Sequence, residues 1–284
     1  MKKVYFLGIG GIAMANLACL LKQRGFLVSG SDLDTFGPSA VLLKKYGINY
    51  FKDHSPSHIK KFKPNVAVIG NAIQRGNPSL EYVLNNRIPY CSMPEIIREE
   101  IIKDKKSIVI TGTSGKTTTT ALIAWILKET GLKPTALVGG IVTNFNSGFL
   151  YGTGTYAVIE GDEYNSSFYD SCPKFLHYQP YHAIVTNIQL DHLDIYGNIE
   201  NIFQAFKKLI KLIPASGSVV LNKDNKYTPA LFQESKSRVI TFGTGGNLEA
   251  KKINYSSAGV SFELFDHGKK LGNIRSPLLG NHNV

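Results

Sequence analysis

The sequence predicts an α/β protein with a doubly wound first unit, followed by a second α/β unit that carries an antiparallel appendage. Short apolar runs alternate with helically periodic segments through the first third of the chain. A second strand–glycine turn–helix pattern begins at Ile108, and after Arg238 the pattern changes to short alternating segments separated by turn residues. Because 284 residues exceed one ordinary domain, we predict two domains, at 1–104 and 105–284.

The first unit is predicted to form a parallel sheet, because its strands and helices alternate as βαβ repeats. A strand at Val4–Gly8 leads through a glycine turn into a helix at Ile12–Arg24, which Gly25 ends. The later strands are predicted at Phe26–Ser29, Ile48–Phe51 and Val66–Ile69. The later helices are predicted at Ser39–Tyr46, Ser79–Asn85 and Pro94–Ile102.

The polar run Lys103–Ser107 is predicted to link the two units. Beyond the strand that starts at Ile108, the second unit has predicted strands at Tyr156–Glu160, Ala183–Thr186 and Ser218–Leu221 and a helix at Ile199–Leu212. The turn-punctuated segments from Arg238 to Arg275 predict the antiparallel appendage.

Composition limits the partners and the compartment. The net charge of +11 favours acidic ligands such as nucleotides and phosphosugars. Because the lysines are scattered in short pairs and form no single stripe, we expect no nucleic-acid partner. The three cysteines are far apart and form no CxxC pair, which predicts no zinc knuckle or disulfide framework and indicates a cytoplasmic protein. No apolar run reaches the roughly 18 residues of a membrane span, so we expect no membrane partner.

The first glycine motif, Gly8-Ile-Gly10-Gly11, stands between a predicted strand and a predicted helix. Glycines there let the backbone approach a pyrophosphate at the helix N-terminus, as in Rossmann-like folds. Asp32 lies at the spacing where an acid contacts a ribose hydroxyl. NAD would be the usual ligand, but other nucleotides fit the same pattern, and so does a tight turn without a ligand.

The second glycine motif is a shortened phosphate loop, because Gly112 stands only three residues before Gly115. The loop N–H groups are expected to cradle phosphate oxygens, Lys116 to reach the terminal phosphates, and the Thr117 hydroxyl to meet Mg²⁺. These features predict ATP and Mg²⁺ as ligands of a P-loop ATPase-like domain. The candidate ATP-binding residues in this motif are Gly112, Thr113, Ser114, Gly115, Lys116, Thr117 and Thr118.

Two polar clusters follow predicted strands. Glu160, Asp162 and Glu163 come directly after the strand at Tyr156–Glu160 and could face the Mg²⁺, although a solvated loop would look the same. Asp191, His192 and Asp194 follow the Ala183–Thr186 strand, where ligands bind in open α/β sheets. A structural histidine fits the second pattern equally well.

Four motifs in order, TGTSGKT, EGDEY, TNIQLDHLD and LLGNHN, resemble the Mur ligases across the whole chain. Those enzymes build the bacterial cell-wall peptide on UDP-N-acetylmuramic acid, and the shortened phosphate loop is their own form. The resemblance implies an ATP-dependent ligase that activates a carboxylate as an acyl phosphate, which an amine then attacks. Lys116 would clamp the transferring phosphate.

The resemblance also implies roles for individual residues. Thr117 and Glu163 would hold one Mg²⁺, with Glu160 as second choice, and His192 would hold a second Mg²⁺. Asn144 and Asn187 match substrate-contacting positions. Asn283 matches a position that meets ATP. The residues implied for the UDP-sugar, in place of NAD, are Gly8, Gly10, Gly11, Asp32, Asn71, Asn144 and Asn187.

Within the family, the glycine motif followed by GSD resembles the branch that acts on UDP-N-acetylmuramate itself. One enzyme of that branch adds L-alanine, and another attaches the recycled tripeptide L-Ala-γ-D-Glu-meso-diaminopimelate. Alanine-adding relatives usually have Ser-Ser-Ala where Gly70–Ala72 stands and Glu-Ser-Asp where Glu163–Asn165 stands. These differences, together with the sequence KFLHYQP at Lys174–Pro180, favour the enzyme that attaches the tripeptide.

Two departures from the family pattern matter. Lys207 lies fifteen residues after His192, where several relatives have a carbamylated lysine, but this branch generally has none, and we favour a solvated helix residue. The sequence stops at Val284, inside the GNHN motif, whereas relatives continue into a third domain that binds the amine. We therefore expect a two-domain part of a ligase with little turnover of its own. A non-catalytic UDP-sugar-binding module and a basic ATPase acting on nucleic acid remain alternatives.

Overall fold

A computed structural model describes residues 1–189, 196–280 and 283–284. The chain divides into two compact units, and one strand and one helix cross the division. Unit 1 comprises 1–109 and 117–179, and unit 2 comprises 110–116 and 180–284. The two compact units are not the same as the two predicted domains. The predicted domain boundary after residue 104 therefore stays a prediction.

Unit 1 begins with a five-stranded parallel sheet in the order β3-β2-β1-β4-β5. Its strands are β1 (Lys3–Leu7), β2 (Leu27–Ser31), β3 (Asn49–Phe51), β4 (Val66–Ile69) and β5 (Tyr90–Ser92). This confirms the predicted doubly wound sheet. β5 was not predicted, because three residues with an exposed first side chain are too short to show a period.

Five helices connect and follow these strands. They are α1 (Ile12–Gln23), α2 (Gly37–Lys45), α3 (Pro56–Phe62), α4 (Pro78–Asn85) and α5 (Met93–Ile97). Ser55, Asn77 and Ser92 accept hydrogen bonds from first-turn N–H groups and so begin α3, α4 and α5. The helix predicted at Pro94–Ile102 is α5 followed by one π-helical turn at Arg98–Ile102.

One part of the core of unit 1 lies between the sheet and the helices α3 and α4. Buried side chains of β1 and β4 pack against Ile59 of α3 and Leu80 of α4. α3 is absent from the sequence-based prediction, since seven residues give too few turns for a helical period.

The rest of unit 1 follows the predicted link. Its elements are β6 (Lys106–Thr111), α6 (Lys116–Glu129), β7 (Thr135–Val142), β8 (Ser147–Leu150), β9 (Tyr156–Glu160), β10 (Asn165–Ser167), β11 (Asp170–Pro173) and a 3₁₀ turn at Lys174–Tyr178. β7 pairs with β9 in parallel and with β8 antiparallel, and β9 neighbours β6. The β7–β8 hairpin was not predicted, because Gly139-Gly140 interrupts the strand pattern.

Unit 2 combines a parallel and an antiparallel part. Its elements are β12 (His182–Val185), α7 (Ile199–Leu212), β13 (Ser218–Asn222), α8 (Thr228–Glu234), β14 (Arg238–Phe242), β15 (Leu248–Ser256), β16 (Gly259–Asp266) and β17 (Lys269–Ser276). β12, β13 and β14 are parallel, and β15, β16 and β17 are antiparallel. The antiparallel appendage is confirmed, but its predicted start was wrong, because β14 pairs in parallel with β13.

No helix within the described ranges is long and apolar enough to cross a membrane.

Candidate functional site

The glycine turn of unit 1, Gly8–Gly11, connects β1 to α1. Gly8 has a φ of +86°, a conformation that glycine adopts without strain, and its N–H donates to the Ser31 carbonyl at 2.8 Å. The Gly10 N–H donates to Oδ2 of Asp32 at 2.8 Å. A Cβ at Gly11 would meet nothing within 4 Å, so the start of α1 is open to an approaching group.

The predicted sugar-binding side chains of unit 1 lie on loops. Asp32 braces the glycine turn, and its other oxygen accepts the Asp34 N–H at 3.2 Å. Asn71 is half-buried in the turn after β4, and Asn144 is exposed between β7 and β8. A carboxylate has four lone-pair sites, so Asp32 retains acceptor capacity for a ligand hydroxyl.

The phosphate loop, Gly112–Lys116, belongs to unit 2 and follows β6. Gly112 has a φ of +121°, and a Cβ there would lie 2.7 Å from the Asn187 carbonyl oxygen. Gly115 has a φ of +84°, and a Cβ there would meet nothing within 4 Å. The loop is therefore crowded at its start and open at its end.

Two residues that follow β12 hold the phosphate loop in place. Asn187 accepts the Ser114 N–H through Oδ1 at 2.9 Å, and its carbonyl accepts the Thr113 N–H at 3.1 Å. The Thr186 hydroxyl donates to the Ser114 carbonyl at 2.6 Å. Asn187 was predicted as a substrate contact, and sequence reasoning missed its bracing of the loop. The available signal was a Thr-Asn pair directly after a buried strand.

The Lys116 amine lies in the curve of this loop. Its Nζ donates to the carbonyls of Gly112 at 2.8 Å and Thr113 at 3.3 Å. The Thr113 and Ser114 N–H groups, which were expected to cradle phosphate oxygens, donate to Asn187 instead. The Lys116 cation in the curve of the loop is the group suited to bind phosphate.

In unit 1, the first residue of α6 beyond Lys116 contacts an acidic side chain at the end of β9. The Thr117 hydroxyl donates to Oε1 of Glu160 at 2.9 Å, and the Gly139 N–H donates to Oε2 at 2.7 Å. Glu163 is only 3% exposed. Hydroxyl and carboxylate oxygens are ligands that Mg²⁺ prefers, so the Thr117–Glu160 pair fits this ion.

A cavity of about 220 Å³ lies beside Glu160 in unit 1. Its lining residues are Ala13, Met93, Leu137, Val138, Gly139, Glu160, Asp162, Lys174 and Tyr178. Lys174 and Asp162 form an ion pair of 2.6 Å at its wall. Burial, and then the charges of Asp162 and Glu160, raise the pKa of Tyr178 far above its ordinary value, so its hydroxyl stays neutral.

Of the remaining predicted residues, Thr118 is exposed on α6 in unit 1, and the others belong to unit 2 or lie outside the described residues. Asp191, His192 and Asp194 lie outside the described residues. Asn283 donates from Nδ2 to the Leu279 carbonyl at 2.7 Å. Lys207 forms an ion pair of 3.1 Å with Glu234, and whether it is carbamylated stays an open prediction.

Comparison with known families assigns nearly the whole chain. The Mur ligase family catalytic domain matches residues 3–105, and the Mur ligase middle domain matches residues 110–284. This chain belongs to the Mur ligase family. The resemblance inferred from the four motifs is therefore confirmed, and members of this family are ATP-dependent amide-bond ligases.

The relatives of this chain include two kinds of enzyme. The UDP-N-acetylmuramate--L-alanyl-gamma-D-glutamyl-meso-2,6-diaminoheptandioate ligase of Haemophilus influenzae is 36% identical over 100% of this chain and 62% of its own length. The UDP-N-acetylmuramate--L-alanine ligase of Clostridium acetobutylicum is 35% identical over 100% of this chain and 60% of its own length. The chain thus spans about 60% of the length of the curated relatives it matches.

Solved structures show the same fold. The UDP-N-acetylmuramate:L-alanyl-gamma-D-glutamyl-meso-diaminopimelate ligase from Neisseria meningitides has a TM-score of 0.93 at 33% identity, covering 100% of this chain and 90% of that one. The UDP-N-acetylmuramate-alanine ligase from Thermotoga maritima has a TM-score of 0.84 at 28% identity, covering 100% of this chain and 62% of that one. The predicted α/β fold class is confirmed.

Proposed function

We propose that this Mur ligase chain supplies the sugar-nucleotide and ATP sites of an enzyme that joins the carboxylate of UDP-N-acetylmuramate to the amine of L-Ala-γ-D-Glu-meso-diaminopimelate. The carboxylate would attack the γ-phosphorus of ATP, with release of ADP. The tripeptide amine would then attack the resulting acyl phosphate, with release of inorganic phosphate. The observation that carries the proposal is the Lys116 amine in the curve of the phosphate loop, 2.8 Å from the Gly112 carbonyl.

The phosphate loop solves an electrostatic problem of this reaction. ATP and a carboxylate are both anions and repel each other at the distance where they react. Lys116 supplies a positive charge and its ammonium N–H donors, and a Cβ at Gly115 would meet nothing within 4 Å, which leaves room for a phosphate there. Such preorganised donors stabilise charge as it develops on the transferring phosphate.

The first metal position is proposed at Thr117 and Glu160. Mg²⁺ bound there would neutralise charge on the β- and γ-phosphates. Thr117 offers a hydroxyl oxygen, and Glu160 offers a carboxylate that the Gly139 N–H holds at 2.7 Å. Their 2.9 Å contact supports Glu160 as the first carboxylate ligand, ahead of Glu163. His192 is proposed as the ligand of a second Mg²⁺ on the resemblance alone.

The glycine turn is proposed to bind the UDP part of the sugar nucleotide. The open approach at Gly11 suits a pyrophosphate at the start of α1. Asp32 offers acceptors for a hydroxyl, with one oxygen already fixed by the Gly10 N–H. Asn71 and Asn144, on two loops of unit 1, are proposed sugar contacts, and Asn283 is a proposed ATP contact.

The amine is proposed to be the tripeptide, with L-alanine as the alternative. The Neisseria meningitides tripeptide ligase has a TM-score of 0.93 with this chain, against 0.84 for the Thermotoga maritima alanine ligase. The alternative is supported by the 35% identity to the Clostridium acetobutylicum alanine ligase, close to the 36% of the Haemophilus influenzae enzyme.

The deciding experiment measures phosphate release by the complete protein with ATP, Mg²⁺ and UDP-N-acetylmuramate, adding either the tripeptide or L-alanine. We expect phosphate release only with the tripeptide. Release with L-alanine alone would establish the alternative. Release with neither amine, together with retention of UDP-N-acetylmuramate on the protein, would indicate a non-catalytic sugar-nucleotide module.

A further inference from the structure

Asn16 is a buried polar residue in the apolar helix α1. Its side chain is 0% exposed, although asparagine is a poor helix former and a buried amide without partners destabilises a protein. The partners of this amide lie outside the helix. Nδ2 donates to the carbonyls of Val138 at 3.4 Å and Gly140 at 3.3 Å, and Oδ1 accepts the Gly148 N–H at 3.0 Å.

These three partners belong to an irregular stretch of the β7–β8 hairpin. Leu137 pairs with Phe149, and the next recorded pair is Val142 with Ser147. Between these two pairs, β7 therefore advances by five residues while β8 advances by only two. A bulge of this kind interrupts the ladder and leaves backbone groups without strand partners. The Asn16 side chain bonds backbone groups of both strands within this irregular stretch.

The fit around the amide is tight. A Cβ added at Gly148 would lie 2.6 Å from Cγ of Asn16, closer than real Cβ atoms approach other atoms. The backbone of β8 therefore packs directly on the Asn16 amide, and the bulge has little freedom to change shape.

The bulge contains the N–H group that holds Glu160. Gly139 lies between Val138 and Gly140, and its N–H donates to Oε2 of Glu160 at 2.7 Å. A Cβ at Gly139 would lie 2.8 Å from Oε1, so the backbone also sets how close the carboxylate comes. The orientation of Glu160 toward Thr117 therefore depends on the shape of the bulge.

We propose that Asn16 is a positioning residue for Glu160, acting through the β7–β8 bulge and the Gly139 N–H. The effect of Asn16 on metal binding rests on the proposed function, whereas its effect on Gly139 does not. Groups that orient a metal ligand without touching the metal typically change metal affinity by about 10–100-fold when removed. Asn16 belongs to this class of residue.

The test compares Asn16→Leu with the wild-type chain, because leucine has a similar volume and no hydrogen-bonding groups. The first measurement is amide hydrogen exchange of Gly139 and Gly148 by NMR. The second is the affinity for Mn²⁺ in the presence of ATP. We expect both amides to exchange at least about tenfold faster and the Mn²⁺ affinity to fall about tenfold.

The matched control is Cys19→Ala in the same helix. Cys19 is also fully buried, but its thiol lies 3.8 Å from the Leu42 carbonyl of α2. This variant should lower the melting temperature without changing relative Gly139 exchange or Mn²⁺ affinity. Should Asn16→Leu fail to fold, Asn16→Asp keeps the acceptor for Gly148 and removes both donors, and the same losses at Gly139 and in Mn²⁺ affinity are expected.

The two measurements separate the inference from the proposed function. Wild-type Gly139 exchange and Mn²⁺ affinity in a folded Asn16 variant would overturn the positioning role. If the wild-type chain bound no Mn²⁺ with ATP, the proposed metal site would fail, and Gly139 exchange would still decide whether Asn16 fixes the bulge.

Discussion

The glycine turn of unit 1 and the phosphate loop of unit 2 share one local plan but differ in charge. Each follows a strand, precedes a helix and is braced by a residue just after another strand. The brace is the carboxylate of Asp32 at the first turn and the neutral amide of Asn187 at the second. The second loop also has the Lys116 amine in its curve.

This difference supports the different ligands proposed for the two turns. A carboxylate next to a turn repels additional negative charge, whereas a neutral brace and an ammonium group favour it. The phosphate loop is therefore suited to the terminal phosphates of ATP. The first turn is suited to a ligand that offers a hydroxyl to Asp32. Under the proposed function, the same backbone plan would bind different parts of two different nucleotides.

The largest expected effect comes from removing the cation of the second loop. Lys116→Ala in the complete protein should lower turnover by roughly 10²–10³-fold or more, by analogy with the loss of one preorganised donor at a developing charge. Phosphate release measures the effect, and circular dichroism checks the fold. Lys128→Ala, near the end of the same helix, is the control and should leave turnover unchanged. Normal turnover in Lys116→Ala would remove the basis of the comparison.

Crowding distinguishes the two glycines of the phosphate loop. Gly112→Ala should lower the free energy of unfolding by about 3 kcal/mol, because positive φ and overpacking against Asn187 act together. Gly115→Ala should cost about 1–2 kcal/mol from backbone strain alone, because a Cβ there meets nothing within 4 Å. Urea denaturation measures both. Equal losses would mean that the contact with the residues after β12 does not constrain the loop.

Exchanging the charge of the brace tests the electrostatic part of the comparison. Asn187→Asp should weaken ATP binding roughly tenfold, because a like charge a few ångströms from phosphate costs on the order of 1–4 kcal/mol. Asn187→Ala removes the brace without adding charge and should weaken binding less. Isothermal titration at low and high salt separates the two variants, since only the aspartate effect should shrink as salt increases. Identical behaviour of the variants would show that the charge of the brace is unimportant.

The smallest effect is expected when the negative charge of the Asp32 brace is removed from the first turn. Asp32→Asn keeps an oxygen for the Gly10 N–H, so the free energy of unfolding should change by less than about 1 kcal/mol. Calorimetry should show binding of UDP-N-acetylmuramate to the wild-type chain, weakened a few-fold in the variant, and no binding of NAD. Preferential NAD binding would contradict the ligand proposed for this turn.

Much of this protein could be predicted from the sequence because its signals are local. Both glycine turns lie within a dozen residues of the strand and helix they connect, so composition and period indicate them directly. The parallel sheet, the phosphate loop and the family followed from such patterns. The helix α3, the strand β5 and the β7–β8 hairpin were not predicted, because they are short or interrupted by glycine.

The tertiary structure decided which polar side chains meet. The residues that meet are far apart in the sequence. Thr117 and Glu160 are separated by 43 residues, Ser114 and Asn187 by 73 residues, and Asn16 and Val138 by 122 residues. No local period encodes such contacts, because they depend on which strands become neighbours and on how a bulge turns the backbone between them. The sequence by itself therefore determined that a phosphate loop and nearby acids exist. Only the packing of distant segments decided that Glu160 faces Thr117, that Asn187 braces the loop and that Asn16 fills the bulge.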